Sequence, residues 1–454
     1  MQSGNNDFRH MTEEEARARI LELVGSYYEQ FHAPKQAAHY ERGSRIPYAA
    51  RVYDREEMQK LTDSALEFWL TMGRYTREFE EGLAAYTGCR FAHVVNSGSS
   101  ANLLAFMALT SPLLEERRVA RGDEVITVAA GFPTTVTPIL NYGAVPVFVD
   151  VKLPAYNVDE TLLEQALSPR TKAVMLAHTL GNPFALKPVW DFCRKHGLWL
   201  IEDNCDSLGS RYELDGSWKM CGSVGHIGTS SFYPPHHMTM GEGGAVYTND
   251  PLLSRIMLSI RDWGRDCICS SGMDNACGHR FDGQFGLLPK GYDHKYVYSH
   301  FGYNLGISDM QAAVGCAQLK KLPAFVEKRR ENWHFLHDAL KDEAGRLMLP
   351  EAEPRSDPSW FGFCMTLRDG LKREPVLRYL EEKGIQTRLL FAGNLLRQPC
   401  FDAFRGDESV YRVAGELTQT DIIMENTFWV GVYPGLTKEK LSYMAETIRE
   451  ALHR

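Results

Sequence analysis

Apolar positions along the chain fall into two alternating rhythms. Thr12-Glu13-Glu14-Glu15 reads as a capping box, and Ile20, Leu21, Leu23, Val24 and Tyr27 follow at helical spacing. That pattern predicts an amphipathic helix over 12–30. Residues 33–55 are polar and mixed, and read as an extended arm crossing to the main domain. Further helix is expected over 56–88, ending near Tyr86-Thr87-Gly88. From residue 90 onward, short apolar runs at 92–95, 124–128, 145–151, 173–177, 198–201 and 227–232 alternate with helical stretches. The alternation predicts an α/β fold with a mainly parallel sheet and helices on both faces. Residues 309–342 read as helix. A smaller α+β lobe is expected over 343–454, with a strand near 361–367 and a helix over 438–452. The expected division is therefore an N-terminal helix and arm (1–55), a large α/β domain (56–342) and a small C-terminal domain (343–454). One stretch, 261–305, is rich in Gly, Asp, Cys, His and Tyr and has little periodicity. A loop of that length in a compact domain is usually functional.

Composition narrows the class without naming it. The 454 residues are 44% hydrophobic and 24% charged, ordinary for a globular protein. A net charge of −8 gives no support for binding nucleic acid or an anionic membrane surface. No apolar run approaches the roughly 20 residues of a membrane span, and the N-terminus lacks the apolar core of a secretory signal. A cytoplasmic location is expected. The ten cysteines are then expected to stay reduced. Six look scattered and read as small buried hydrophobes. Cys267, Cys269 and Cys277 cluster as C-x-C-x7-C inside the long loop, which suggests a metal or iron–sulfur site. Zinc usually needs a wider C-x2–4-C pair or histidines. A fourth ligand must come from elsewhere: Cys205, or its rival Cys221.

Three further stretches carry candidate chemistry. Residues 229–244 read TSSFYPPHHMTMGEGG, with two prolines presenting His236 and His237 and three glycines returning the chain to a second short strand. Asn96-Ser97-Gly98-Ser99-Ser100-Ala101-Asn102 follows a strand and opens a helix. Such a terminus favours a phosphate, although a plain serine-rich cap has the same look. Leu200-Ile201-Glu202-Asp203 ends another strand, where open α/β sheets bind ligands.

These stretches resemble the sugar aminotransferases of the fold-type I, pyridoxal-phosphate family. Ser231, Phe232, Thr239 and Gly241-Glu242-Gly243-Gly244 match the family's cofactor-lysine segment, but His236 stands where the lysine belongs. A lysine amine forms a Schiff base with the cofactor; an imidazole cannot, yet it still moves protons. The resemblance implies a seven-stranded sheet and a phosphate loop with Ser99 and Ser100 as donors, helped by Ser231. It implies that Asp203 holds the pyridine nitrogen protonated, making the ring an electron sink. Phe132 is the candidate to cover that ring, with core packing as the alternative. Asn304, in a Gly-Tyr-Asn segment, matches a residue that reaches the phosphate of the neighbouring subunit, so a homodimer is implied; Leu305-Gly306 departs from the family's usual Arg-Met.

Histidine for lysine together with the cysteine cluster resembles one group within the family, the CDP-4-keto-6-deoxyglucose 3-dehydrases, and a related TDP-sugar 3-dehydrase. The likeness runs from about residue 60 to the C-terminus. It includes 261–267, Gly291-Tyr292-Asp293-His294-Lys295-Tyr296, Asp357-Pro358-Ser359-Trp360-Phe361-Gly362-Phe363 and Thr387-Arg388-Leu389-Leu390-Phe391-Ala392-Gly393-Asn394. It implies pyridoxamine phosphate bound without a covalent link, a [2Fe-2S] cluster on Cys205, Cys267, Cys269 and Cys277, and C3 deoxygenation of a nucleotide-linked 4-keto-6-deoxyhexose. His236 is then the base. Tyr233, Asp206 and Phe361 shape the site, and Arg388 and Arg397 are candidate diphosphate contacts. The separation of Cys205 and Cys267 is longer than the group's usual pattern, with the extra residues in the turn around 213–221. Electrons are expected from an NADH-dependent flavin/iron–sulfur reductase or a ferredoxin, because the chain has no Gly-rich dinucleotide fingerprint of its own. Two other readings stay open. One is a cluster-independent 3-dehydratase of the colitose type; the other is a non-enzymatic, zinc-stabilised protein on this scaffold.

Overall fold

The computed structural model describes residues 8–267, 269, 275 and 278–454. Thr12 caps the first helix, Glu13–Phe31. Its hydroxyl accepts the amide of Glu15 at 3.2 Å, and Glu15 returns a contact to the Thr12 amide at 2.8 Å. This helix packs on Arg55–Glu67. Between them a short helix, Ala33–Gln36, precedes the extended arm. The arm docks where Ile46 bridges Ile385, its amide donating to the Gly384 carbonyl at 2.8 Å. That docking carries Tyr48 toward the centre of the molecule.

Among the described residues, the main sheet has eight strands. Their spatial order is Phe91–Val95, Gly244–Thr248, Ile227–Ser231, Trp199–Asp203, Thr171–Ala177, Glu124–Val128, Val145–Val149 and Arg412–Val413. Gly244–Thr248 runs antiparallel to both neighbours, and every other pairing is parallel. The inner strands Glu124–Val128, Val145–Val149, Trp199–Asp203 and Ile227–Ser231 are buried along their whole length, as helices on both faces require. The sequence accounts for seven of these strands. The eighth is a two-residue segment sent over from the C-terminal part of the chain, too short to leave an alternating pattern. Arg412 holds it there through Glu124, at 2.8 Å.

A second sheet of four strands, Leu347–Met348, Gly362–Leu367, Thr427–Gly431 and Thr387–Arg388, is antiparallel throughout. It forms a separate core with Arg373–Glu382 and Lys438–Leu452. The 32-residue helix Asp309–Leu340 links the two sheets. The long segment after Arg261 is closed at its neck by isolated bridges of Asp262 with Asn304 and Arg265 with Tyr298. Arg261 anchors that neck, donating to Glu80 at 3.0 Å and to the Val94 carbonyl at 3.3 Å. Among the described residues, no helix is long and apolar enough to cross a membrane.

Candidate active site

A cavity of about 570 Å³ opens at the C-terminal ends of the parallel strands, the expected place for a ligand in an open α/β sheet. Strand alternation separates the two acids at the end of Trp199–Asp203. Glu202 faces away and is fully buried, accepting from the amides of Gly222 and Val224 at 2.7 and 2.9 Å and contacting His178 at 2.9 Å. Asp203 faces the cavity. Its Oδ2 accepts from Asn102 Nδ2 and from Thr135 Oγ1, both at 2.7 Å, and its Oδ1 accepts the Cys205 amide at 3.2 Å. Hydrogen bonds to a charged group contribute about 1.5–3 kcal/mol each, so neutral donors fix this carboxylate in place.

The helix Gly98–Ala108 points its N-terminus at the same cavity. Ser97 caps it by accepting the Ser100 amide at 3.0 Å and donating to the Ser100 hydroxyl at 3.0 Å. Ser97, Gly98 and Ser99 line the cavity, whereas Ser100 is turned into the cap. Gly98 has no room for a side chain: a Cβ there would lie 2.4 Å from the Ser231 Cβ and 3.1 Å from the Cys205 Sγ. Ser231, at the end of its strand, also lines the cavity.

His236 sits on the opposite wall, in the turn after Tyr233. Its Nδ1 lies 3.1 Å from the Tyr233 carbonyl, which can only accept, so this nitrogen carries a proton. Its Nε2 faces Asp206 Oδ1 at 3.5 Å. Burial pushes the Asp206 carboxyl up, against the pull of His236. The imidazole packs 5.3 Å from the Phe361 ring, and the ring of Tyr233, 49% exposed, lies 6.5 Å from it. His237 points away from the cavity. It is buried, donates from Nε2 to the Ser359 carbonyl at 2.7 Å, and is held well below the usual histidine range by burial and by the Arg329 charge. It is a tie, not a base.

Phe132 is 51% exposed at the cavity and meets Phe391 edge-on at 5.9 Å, so core packing does not explain it. Phe361, Trp429 and Tyr48 form a continuous aromatic wall with centroids 5.4 Å apart at each step. Arg388 ends that wall, its guanidinium 4.0 Å from the Tyr48 ring. Arg397 is elsewhere. It is 59% exposed on the surface and paired with Asp421 at 3.0 Å, outside this cavity. Its arginine type matched a phosphate contact, but a local carboxylate occupies the guanidinium. Asn304 is also outside the cavity, exposed at the neck of the long segment.

Sequence reasoning missed Ser97, Asn102, Thr135, Tyr48, Trp429 and Arg329. Asn102 closes the loop motif 96–102, and its place one helical turn after the Ser97 cap is the signal that marks it. Tyr48 and Trp429 come from segments distant in sequence and had none.

Cys205 lines the cavity, and burial together with Asp203 and Asp206 pushes its thiol up. Cys221 is buried in a hydrophobic cluster of the main domain. Cys267 and Cys269 are half-buried, and Cys277 lies outside the described residues. Among the described residues, no three His, Cys, Asp or Glu side chains come together as a metal-binding group.

The sheet order and this site define a pyridoxal-phosphate-type protein of fold type I. The chain belongs to the DegT/DnrJ/EryC1/StrS aminotransferase family, whose model matches residues 52–449. It is 51% identical over 442 residues to the lipopolysaccharide biosynthesis protein RfbH of Salmonella typhimurium, covering 97% of this chain and 99% of that protein. It is 48% identical over 438 residues to the dTDP-4-dehydro-2,6-dideoxy-D-glucose 3-dehydratase of Saccharopolyspora spinosa, covering 96% and 92%. A solved structure of the E. coli GDP-4-keto-6-deoxy-D-mannose-3-dehydratase with bound hydrated PLP matches with a TM-score of 0.79 at 28% identity, covering 89% of this chain and 99% of that one.

Proposed function

We propose that this protein removes the C3 hydroxyl of a nucleotide-linked 4-keto-6-deoxyhexose, CDP-linked first and TDP-linked second, with pyridoxamine phosphate as cofactor. The observation that carries the reading is His236: it stands at the lysine position, lines the same cavity as Asp203, and faces Asp206. The names of the relatives with 3-dehydratase activity support the same chemistry.

The residues fit the cofactor. Asp203 is a fixed carboxylate for a ring nitrogen, Phe132 is an exposed face for a ring, and Ser97–Ser99 with Ser231 form a cradle that a Cβ at Gly98 would fill. Pyridoxamine phosphate supplies, when bound, an amine for the 4-ketone and a ring that accepts electrons. His236 moves the proton at the cofactor's C4′ carbon, and Asp206 steadies the charge the imidazole gains. Asp203 keeps the ring nitrogen protonated. Phe361 and Tyr233 confine the His236 ring and help disfavour transamination. Arg388 binds the diphosphate, since guanidinium pairs with phosphate oxygens.

For the cluster, the fit is one of donor chemistry. Four thiolates, from Cys205, Cys267, Cys269 and Cys277, are the set a [2Fe-2S] centre takes. Such a centre would pass single electrons from a reductase or ferredoxin, at about −400 mV for the plant type. We also propose a homodimer, which the exposed Asn304 fits if it serves the phosphate of the neighbouring subunit; light scattering tests this. The cluster-independent 3-dehydratase is the alternative reading, and the iron and acid-labile sulfide content of anaerobically purified protein separates the two. Anaerobic turnover with CDP-4-keto-6-deoxyglucose, pyridoxamine phosphate, NADH and a flavin/iron–sulfur reductase decides the function. A 3,6-dideoxy sugar is expected. Accumulation of a 4-amino sugar instead contradicts the reading.

A further inference from the structure

The turn that carries His236 is tied down by a side chain to which the proposed reaction assigns no part. Arg329 lies in the helix Asp309–Leu340 and is 2% exposed. Its Nη2 donates to the His236 carbonyl at 3.1 Å and the Pro235 carbonyl at 3.4 Å. Its Nη1 donates to the carbonyls of Trp360 and Phe361, both at 3.3 Å. The opposite charge that bears on it is Asp206, the same acid that faces His236.

Burying a guanidinium without a paired carboxylate costs several kcal/mol, and an apolar side chain of similar volume would fill the space without that cost. Burial accordingly lowers Arg329 to about 9. What packing alone would not supply is a rigid, planar fork reaching two backbone segments at once. Those segments differ in origin: one is the turn after a strand of the main sheet, the other leads into the strand Gly362–Leu367 of the second sheet.

We infer that Arg329 is the positioning residue of the His236 turn, its guanidinium fork fixing the carbonyls of Pro235 and His236 against those of Trp360 and Phe361. This sets the imidazole at its distance from Phe361 and from Asp206. Lysine keeps the charge but loses the fork, so the turn should shift even where the fold survives. The inference rests on His236 acting as the base, and its test is therefore read partly without substrate.

The experiment uses the full-length, cofactor-loaded protein and two variants, Arg329→Lys and Arg329→Gln. The first readout is the ¹⁵N signal pair of the His236 ring, assigned by its loss in His236→Asn. In both variants the Nδ1-protonated pattern should be lost or averaged with its tautomer. The second is turnover of CDP-4-keto-6-deoxyglucose, where kcat should fall about tenfold or more with KM changed less than about threefold. An unchanged imidazole signal overturns the inference whatever the turnover. So does failure of both variants to fold, which would make Arg329 a structural residue only. A shifted imidazole in a protein that never turns over the sugar upholds the positioning role and leaves the functional reading to fail on its own.

Discussion

The Nε2 of His236 lies 3.5 Å from Oδ1 of Asp206, while its Nδ1 is committed to the Tyr233 carbonyl at 3.1 Å. With one nitrogen bound to an acceptor, the other is left to exchange a proton. Asp206 stands beside it, pushed up by burial and drawn down by the imidazole. A lysine at this position would reach into the same cavity, where its amine can condense with the aldehyde of pyridoxal phosphate and release water. His236→Lys loaded with pyridoxal phosphate is therefore expected to retain cofactor after borohydride reduction and denaturation, and the unaltered protein treated in the same way to release it. Its 3-dehydration rate should fall about 100-fold or more, the usual worth of a positioned base. Cofactor retained by the unaltered protein contradicts the non-covalent reading.

Asp203 is held by two neutral donors at 2.7 Å. Asp203→Asn keeps the shape and removes the charge. Pyridoxamine phosphate should bind about tenfold or more weakly, the value of losing one charge-assisted contact. Titration of the cofactor's absorbance measures it, and an unchanged dissociation constant would remove Asp203 from the ring.

Cys267→Ser and Cys269→Ser are each expected to lower bound iron and acid-labile sulfide in anaerobically purified protein to near zero, and to halt reductive turnover. Solvent exchange at C3 should continue, since His236 and Asp203 remain. Full iron in both variants, or zinc in the unaltered protein, argues against the cluster.

The fold itself offers a test at Gly181. It adopts φ +91°, and a Cβ added there would lie 2.0 Å from the Ser359 carbonyl oxygen, the acceptor of His237. Both the backbone conformation and the collision oppose a side chain. Gly181→Ala should lose about 2 kcal/mol or more of stability in denaturant titration. A loss below about 0.5 kcal/mol would mean this contact yields easily.

A buried histidine, His93, and a half-buried one, His226, set an acid limit. Burial, then the Arg261 charge, lowers His93 to about 3; burial, then Arg117, lowers His226 to about 4. Unfolded histidine titrates near 6.5. Between about pH 6.5 and these lowered values the unfolded chain binds more protons, so stability is full above about 6.5 and falls with acidification. The slope is about 1.4 kcal/mol per pH unit for each group. His93→Gln should flatten the loss of thermal midpoint between pH 6.5 and 4.5. Parallel curves for the two proteins would show that His93 does not contribute.

Much of this site was legible in the sequence because its parts sit at strand ends with local signatures. Asp203 closes a buried strand, Ser99 opens a helix, and His236 follows a Pro-Pro turn. What could not be read were residues whose role is made by long-range packing. Arg329 is one of two adjacent arginines in its helix, and nothing local marks it, rather than Arg330, as the buried one. Tyr48 reaches the cavity only because Ile46 docks against Ile385. Arg397 shows the converse: its residue type suggested a phosphate contact, but Asp421 holds it on the surface. The strand Arg412–Val413 is too short for any periodicity to reveal.

The most direct test is the fate of one oxygen atom. The protein, loaded with pyridoxamine phosphate and given CDP-4-keto-6-deoxyglucose in heavy-oxygen water without a reductant, should exchange or lose the C3 oxygen of the sugar. His236→Asn should abolish that exchange while still binding the cofactor. Retention of the original C3 oxygen with both the CDP and the TDP sugar, while a 4-amino sugar forms, would contradict C3 deoxygenation.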